Sequence, residues 1–452
     1  MLFNSHLFIF LFLPFTFIIY FYLNKKRLTN LAKSFLVVAS LFFYSWWNIV
    51  YLPLILGSIF VNFLIGSYLN PKRKLLLIVG IVANISLLGY FKYADFFIEN
   101  VNWALDTEMG LLDLALPLAI SFFTFQQIAY LVDSYYAEVK REGFLNYAVF
   151  VSFFPQLIAG PIVHHKEMMP QFSKMKNKVI NHQNIAMGLF IFSMGLFKKV
   201  VIADTFAIYA TAGFANATGL NFFEAWATSL SYTFQLYFDF SGYTDMAIGL
   251  ALLFNIKLPI NFNSPYKAQN IQDFWRRWHI TLSRFLRDYI YIPLGGNRKS
   301  EHQTYSNLMI TFIIGGLWHG AGWTFVFWGF LHGFALVVHR FWRSLGFKIH
   351  AWLAWLITFN FINITWVFFR AETWEDATNI IMRMFMIDMG SVDVEQVIYL
   401  VLACVVVLVF KNSNEQIKEF QINLKTMFLA MILFSLSVLS LNRVSEFLYF
   451  NF

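Results

Sequence analysis

The sequence predicts an all-α polytopic membrane protein, and three observations carry the prediction. Only 13% of its 452 residues are charged, while 59% are apolar and 20% aromatic; a soluble globular chain carries about 25% charged residues. So little polar surface cannot cover a water-soluble particle of this length, whereas a bilayer accepts apolar surface. Apolar runs of about 20 residues, the length that crosses ~30 Å of hydrocarbon, recur along the chain. Lys and Arg gather between those runs as they do in cytoplasmic loops, which accounts for the net charge of +8 without nucleic acid. The lone Cys404 lies in an apolar run, so neither a disulfide framework nor a thiolate metal site is expected.

Residues 7–23 lack a small-residue cleavage site and are followed by Lys25, Lys26 and Arg27. They read as a retained first span, not a removed signal peptide. Residues 34–69 are interrupted by Asn48 and Pro53, which predicts two spans joined by a tight turn over 47–53. Lys25, Lys26 and Arg27 then share a side with Lys72, Arg73 and Lys74, which places the N-terminus outside. After a span over 75–91, Glu99, Asp106, Glu108 and Asp113 form an acidic outer loop.

Residues 114–131 and 144–158 are apolar but broken by Pro117, Pro155 and Pro161. Such segments suit re-entrant or interfacial helices enclosed by protein or beside a water-filled cavity. Spans return over 184–209 and 222–254. Residues 261–303 form the most basic loop, expected in the cytoplasm, followed by spans over 308–330 and 351–369. An acidic outer segment (Glu372, Glu375, Asp376, Asp388, Asp393, Glu395) precedes spans over 397–410 and 427–441. The total is about eleven membrane segments. No internal repeat is visible, so 1–452 reads as one domain. Within it, 1–110 holds the N-terminal spans, 111–180 the re-entrant or interfacial region, 181–345 the core, and 346–452 the C-terminal spans.

Ionisable side chains inside a membrane segment are functional candidates. His319 stands in Gly315-Gly316-Leu317-Trp318-His319-Gly320-Ala321-Gly322-Trp323, where glycines permit close approach and tryptophans supply flat walls. A neutral imidazole there can take the proton of a hydroxyl attacking a thioester and return it to the leaving group. The alternative is a core histidine that hydrogen-bonds a neighbouring helix. A second constellation runs from Asp273 to Arg298 and contains Arg276, Arg277, Trp278, His279, Arg284, Arg287 and Asn297. Arginines grip phosphates bidentately and tryptophans stack on adenine; a positive-inside loop with interfacial tryptophans is the alternative. His279 differs, because its amphipathic setting lets it approach the membrane interior.

His332 and His339 share a helix face, but His319 stands roughly 220° round from His332 on a straight helix. Asp239 and Asp245 read as partners of the arginines or as cavity lining. No H-E-x-x-H pattern or carboxylate cluster calls for a metal, and no P-loop, G-x-S-x-G or dinucleotide fingerprint occurs.

Three blocks resemble the membrane-bound O-acyltransferase (MBOAT) family. They are FDFSGYTDMAIGLALLFNIKLPINFNSPY (238–266), FWRRWHITLSRFLRDYIYIPLGGNR (274–298) and GGLWHGAGWTFVFWGFLHG (315–333). Within the family they are similar to the bacterial alginate and peptidoglycan O-acetyltransferase branch. FFPQLIAGPIVHHKEMMPQF (153–172) and FLYFNF (447–452) are similar to it too. The resemblance covers nearly the whole chain and implies a ring of helices around a central tunnel.

It also implies that His319 is the family's essential histidine, His279 its second functional histidine, and His332 that of the following Leu-His-Gly motif. Trp318, Gly320, Asp245 and His332 are then the expected tunnel or supporting positions. Arg276, Arg277, Trp278, Arg284, Arg287, Asn297 and Arg298 are the expected donor-binding positions. The implied donor is cytoplasmic acetyl-CoA, used as a substrate with no bound cofactor. The expected location is the bacterial inner membrane, among lipid.

The implied acceptor is a periplasmic partner with a Ser-His-Asp (SGNH-type) O-acetyltransferase site, which esterifies a cell-envelope polysaccharide. A composition rich in Phe, Ile, Lys and Asn, as AT-rich coding favours, points to the 6-hydroxyl of N-acetylmuramic acid in peptidoglycan. Alginate or another exopolysaccharide is the alternative acceptor. The D-alanine exporter of teichoic acids, a sister branch, usually lacks the Leu-Gly-Gly-Asn-Arg and Leu-Trp-His-Gly-Ala wording. A passive acetyl-donor carrier is the competing class, but inverted repeats and broken-helix pairs are not evident. A covalent acyl-enzyme stays open.

Overall fold

The computed structural model describes residues 1–137, 143–388, 390–441 and 448, and all regular elements among them are helical. Apart from Leu448, the FLYFNF motif lies outside the described residues. Six helices are long and apolar enough to cross a membrane: Phe8–Lys25, Ile49–Tyr68, Lys74–Lys92, His182–Ala215, Trp323–Ser344 and Ala351–Arg370. Val394–Val409 and Ser413–Glu419, bent by 45°, count as a seventh if taken together. The larger number expected from sequence includes segments that are helical here but shorter or more polar. Thr29–Ser45 and Leu424–Leu439 are examples, as is Phe222–Leu253, which carries Asp239 and Asp245.

Phe222–Leu253 is the central post of the fold, since every residue over 231–253 is buried. Its start is fixed by a capping box, in which Asn221 and Glu224 satisfy each other's backbone N–H. By contrast, Lys74–Lys92 buries only Gly80, Asn84 and Leu88 and turns Leu75, Val79 and Val82 outward.

In lipid the hydrophobic effect does not drive helices together, so small residues that let backbones touch do much of the packing. The post and His182–Phe197 meet through two reciprocal glycine contacts. A Cβ on Gly195 would stand 2.6 Å from the Gly242 carbonyl oxygen, and one on Gly188 2.7 Å from that of Gly249.

The carboxylates of the post pair with lysines, not with the arginines that the sequence suggested. Lys199 Nζ lies 2.7 Å from both Asp204 Oδ1 and Asp239 Oδ1, with all three side chains almost fully buried. Lys198 Nζ lies 2.7 Å from Asp245 Oδ2, which also accepts from Ser413. Both lysines begin the π-helical turn Lys198–Ala203, which aims adjacent side chains at the same post. The Leu448 amide donates to Asp239 Oδ2 at 3.2 Å. The arginines sit in a different part of the chain, too far along it for sequence to exclude the pairing.

A second correction concerns 308–330, expected as one span. Two antiparallel helices, Glu301–His319 and Trp323–Ser344, occupy this stretch and turn at 320–322. Gly320 and Gly322 are extended there (φ −158° and −170°) and end one helix and start the next. The arms cross on glycine: a Cβ on Gly316 or Gly329 would overlap the Phe325 or Phe312 carbonyl oxygen. Apolar continuity hid the break, because the turn is as apolar as its arms.

The proline-broken middle is short and enclosed. Ile120–Tyr135 starts after Pro117, and Phe144–Ser152 and Phe154–Leu157 are separated at Phe153. Nearly every side chain over 147–165 is buried against the post and its neighbours.

Candidate active site

His319 is the last residue of its helix and only 2% exposed. Its ring is walled by Trp318, Phe369 and Trp328, with centroids 4.9, 5.0 and 5.2 Å away. Trp318 is itself clamped, stacked on Phe125 at 5.1 Å. Gly320 leaves room for the Phe325 ring, which any Cβ there would overlap. The wall of the site is therefore aromatic and rigid.

His279 reaches the same place from the basic loop and is fully buried. It takes a left-handed backbone (φ 42°) at the start of Ile280–Leu286, which turns its ring inward. Its centroid lies 6.4 Å from that of His319. The Phe240 ring of the central post meets it edge-on at 4.7 Å. His279 Nδ1 is 3.1 Å from Asn261 Oδ1, which also accepts from the Thr281 amide and hydroxyl. An amide oxygen only accepts, so Nδ1 carries the proton and Nε2 is the basic ring nitrogen.

His332 is held differently. Trp275 Nε1 donates to its Nδ1 and its Nε2 donates to Thr365 Oγ1, both at 3.1 Å. Thr365 in turn donates to the Ile362 carbonyl. Both ring nitrogens are thus committed to joining three helices. Asp245 lies elsewhere, in the lysine network described above.

A cleft of about 920 Å³ opens outside the aromatic box, lined by Ile280, which follows His279, and by Trp275, which donates to His332. Of the expected donor positions, Arg276, Arg284, Arg287 and Asn297 line it. Three do not. Trp278 is buried, stacked on Phe274 and packed on Trp366. Arg277 is paired with Asp273 at 2.9 Å, and exposed Arg298 is not among the lining residues.

Sequence reasoning missed Arg340 and Arg343, which line the cleft from the last turns of Trp323–Ser344 together with His339, noted from sequence only for sharing a helix face with His332. Only the helical reversal at 320–322 brings them to the basic loop, so no local signal marked them. Glu167 grips Arg284 bidentately at 2.7 and 3.1 Å, and a hydrogen bond to Asp288 raises the pKa of Arg287. A carboxylate thus orients each guanidinium. Trp275 links cleft and histidines, since it lines the cleft and touches Trp328, which walls His319. Among the described residues no group of three His, Cys, Asp or Glu side chains could hold a metal ion.

Buried histidines behind an arginine-lined cleft in an all-helical, multi-pass scaffold define a membrane-embedded group-transfer enzyme. The profile of the membrane-bound O-acyltransferase family, MBOAT, matches residues 2–372, and the chain belongs to that family. It is 57% identical over 419 residues to a peptidoglycan O-acetyltransferase of Helicobacter pylori, covering 85% of this chain and 80% of that one. It is 43% identical over 404 residues to a probable alginate O-acetylase of Pseudomonas aeruginosa, covering 85% and 75%. A teichoic acid D-alanyltransferase of Bacillus subtilis is 26% identical over 363 residues, covering 75% and 90%. The chain is thus a membrane-bound acyltransferase.

Proposed function

We propose that this enzyme takes an acetyl group from cytoplasmic acetyl-CoA and delivers it through the inner membrane to a periplasmic partner. That partner, with a Ser-His-Asp site, esterifies a cell-envelope polysaccharide. Peptidoglycan, at the 6-hydroxyl of N-acetylmuramic acid, is the acceptor favoured here, in keeping with the name of the 57% identical relative. The observation that carries the reading is the pair of buried histidines, His279 and His319, behind a cleft lined with arginines.

On this reading the nucleotide phosphates rest among Arg276, Arg284, Arg287, Arg340 and Arg343. The acetyl thioester extends past Trp275 toward the histidines. His319 takes the proton of the acceptor hydroxyl as its oxygen attacks the thioester carbon. The C–S bond then breaks and the proton passes to the departing thiolate. His279, its tautomer fixed by Asn261, presents Nε2 to the same carbonyl region. The N-terminus lies outside and the cleft faces the cytoplasm.

The test is acetate released by mild base from a deletion strain, measured separately for purified peptidoglycan and soluble exopolysaccharide. The intact gene is expected to restore acetate on peptidoglycan alone, and the His319→Ala form on neither polymer. Restoration on the soluble polymer instead would move the acceptor to an exopolysaccharide. Full restoration by the alanine form would make the protein a carrier.

Two further outcomes are expected in membranes supplied with acetyl-CoA. Arg276→Met and Arg343→Met should each raise the KM for acetyl-CoA about tenfold with kcat nearly unchanged, the mark of lost uniform binding. The effect should shrink in high salt. Asn261→Ala should lower kcat about 100-fold through loss of the His279 tautomer, with KM little changed. Equal kcat in the variant and the parent would remove His279 from the reaction.

A further inference from the structure

We propose that Lys92 and Tyr93 are positioning residues for acetyl transfer: they hold His319 by hydrogen-bonding the last carbonyls of the helix that carries it. The inference rests on the reading of His319 as the base.

The last four carbonyls of any helix lack a partner within it. Many helices solve this with a left-handed residue and a return of the chain. Glu301–His319 cannot use that solution, because Gly320 is extended and leads directly into the reversal. Its last carbonyls are satisfied in another way. Gly316 O receives the Gly320 amide at 3.3 Å. Leu317 O receives the Tyr93 hydroxyl at 2.5 Å. Trp318 O and His319 O both receive Lys92 Nζ, at 2.6 and 3.1 Å.

A third, longer contact joins Lys92 Nζ to Ser121 Oγ at 3.4 Å. The three N–H bonds of an ammonium thus meet three acceptors. Lys92 Nζ also lies 6.0 Å from the centre of the Trp318 ring, within cation–π range.

A cation at a helix C-terminus faces the negative end of its dipole, which is favourable. Lys92 ends the outward-facing helix Lys74–Lys92, and a lysine there would ordinarily reach for the membrane surface. This one points inward, at carbonyls more than two hundred residues away in sequence. It thereby ties the end of one span to the backbone of His319 itself. The imidazole has one aromatic wall from its own helix, Trp318, and the same ammonium fixes that wall. Loss of the tie frees the terminal turn and lets the ring drift within its aromatic box.

The experiment uses membranes from the strain that normally carries the enzyme, so that any partner is present. It follows release of coenzyme A thiol from acetyl-CoA. Lys92→Met, Lys92→Arg, Tyr93→Phe and His319→Ala are compared at equal amounts of folded protein, judged by monodisperse elution in detergent. Lys92→Met is expected to lower kcat roughly 10- to 100-fold, as a misplacement of about 1 Å can. KM for acetyl-CoA should stay within about twofold. Lys92→Arg, which keeps the donors, should recover much of the loss, and Tyr93→Phe should lose less than Lys92→Met.

The proposal is overturned if Lys92→Met keeps its kcat per folded molecule, or if it loses folded protein only. It is overturned too if KM rises while kcat holds. The two readings separate cleanly. An inactive His319→Ala beside a fully active Lys92→Met sinks the positioning role alone, whereas a fully active His319→Ala sinks the base as well.

Discussion

His319→Ala should reduce acetyl-CoA turnover by about 10²- to 10⁴-fold, the range that a positioned general base supplies. His319 is enclosed by Trp318, Trp328 and Phe369, and the His279 ring lies 6.4 Å from it, so the two imidazoles share one aromatic-walled space. Removing the ring also empties an aromatic box at the very end of the helix, where no later turn depends on it. Groups that act as a unit show non-additive losses. The double variant His279→Ala/His319→Ala should therefore be little worse than the single His319 change. Losses that multiply would mean that the two histidines serve separate steps. Thiol release at matched protein amounts distinguishes the cases.

The largest stability effect is expected at Lys199. Lys199→Met leaves Asp204 and Asp239 facing each other in the core, 3% and 2% exposed, without the ammonium that lies 2.7 Å from both. Breaking a buried ion pair from one side typically costs about 3–5 kcal/mol, enough to deplete the folded form in most proteins. The variant should therefore accumulate poorly and melt well below the parent in detergent. Replacing the whole set (Lys199→Met with Asp204→Asn and Asp239→Asn) removes the stranded charges and should recover much of the loss. An unchanged melting curve for the single variant would show that the cluster is already neutral or hydrated.

Much of this architecture was legible because membrane helices announce themselves by apolar length. The turn over 47–53 is where Asn48 and Pro53 place it: the Asn48 side chain accepts from the Val50 amide, and Pro53 sits in the first turn of Leu52–Tyr68. The break at 320–322 was not legible. A reversal made from Gly320, Ala321 and Gly322 carries no polar residue, so its hydropathy equals that of a continuous span. That single omission hid Arg340 and Arg343, since a span ending near Phe330 leaves them on no particular surface.

His279 and His319 stood out because imidazoles are rare among so many apolar residues. Lys92 did not, since a lysine at a span end looks like an interfacial anchor. Its function depends on carbonyls contributed by a distant helix, and backbone groups have no sequence signature. Trp278 failed as an adenine platform for a related reason. Aromatic residues in a basic loop suit stacking and core packing equally, and only the positions of Phe274 and Trp366 decide between them.

The hairpin that joins cleft to histidine also acts as a ruler. Thr311 and Phe312 line the cleft on the same helix that ends at His319. At 1.5 Å per residue the imidazole lies roughly 11 Å beyond them. The glycine crossing of the two arms leaves no slack to shorten that gap. On the function proposed above, a donor whose phosphates rest among those arginines would carry its acyl group on a slender arm of about that reach. A compact donor such as acetyl phosphate, however firmly the arginines held it, would stop short of the reaction. Length, as much as charge, would select the substrate.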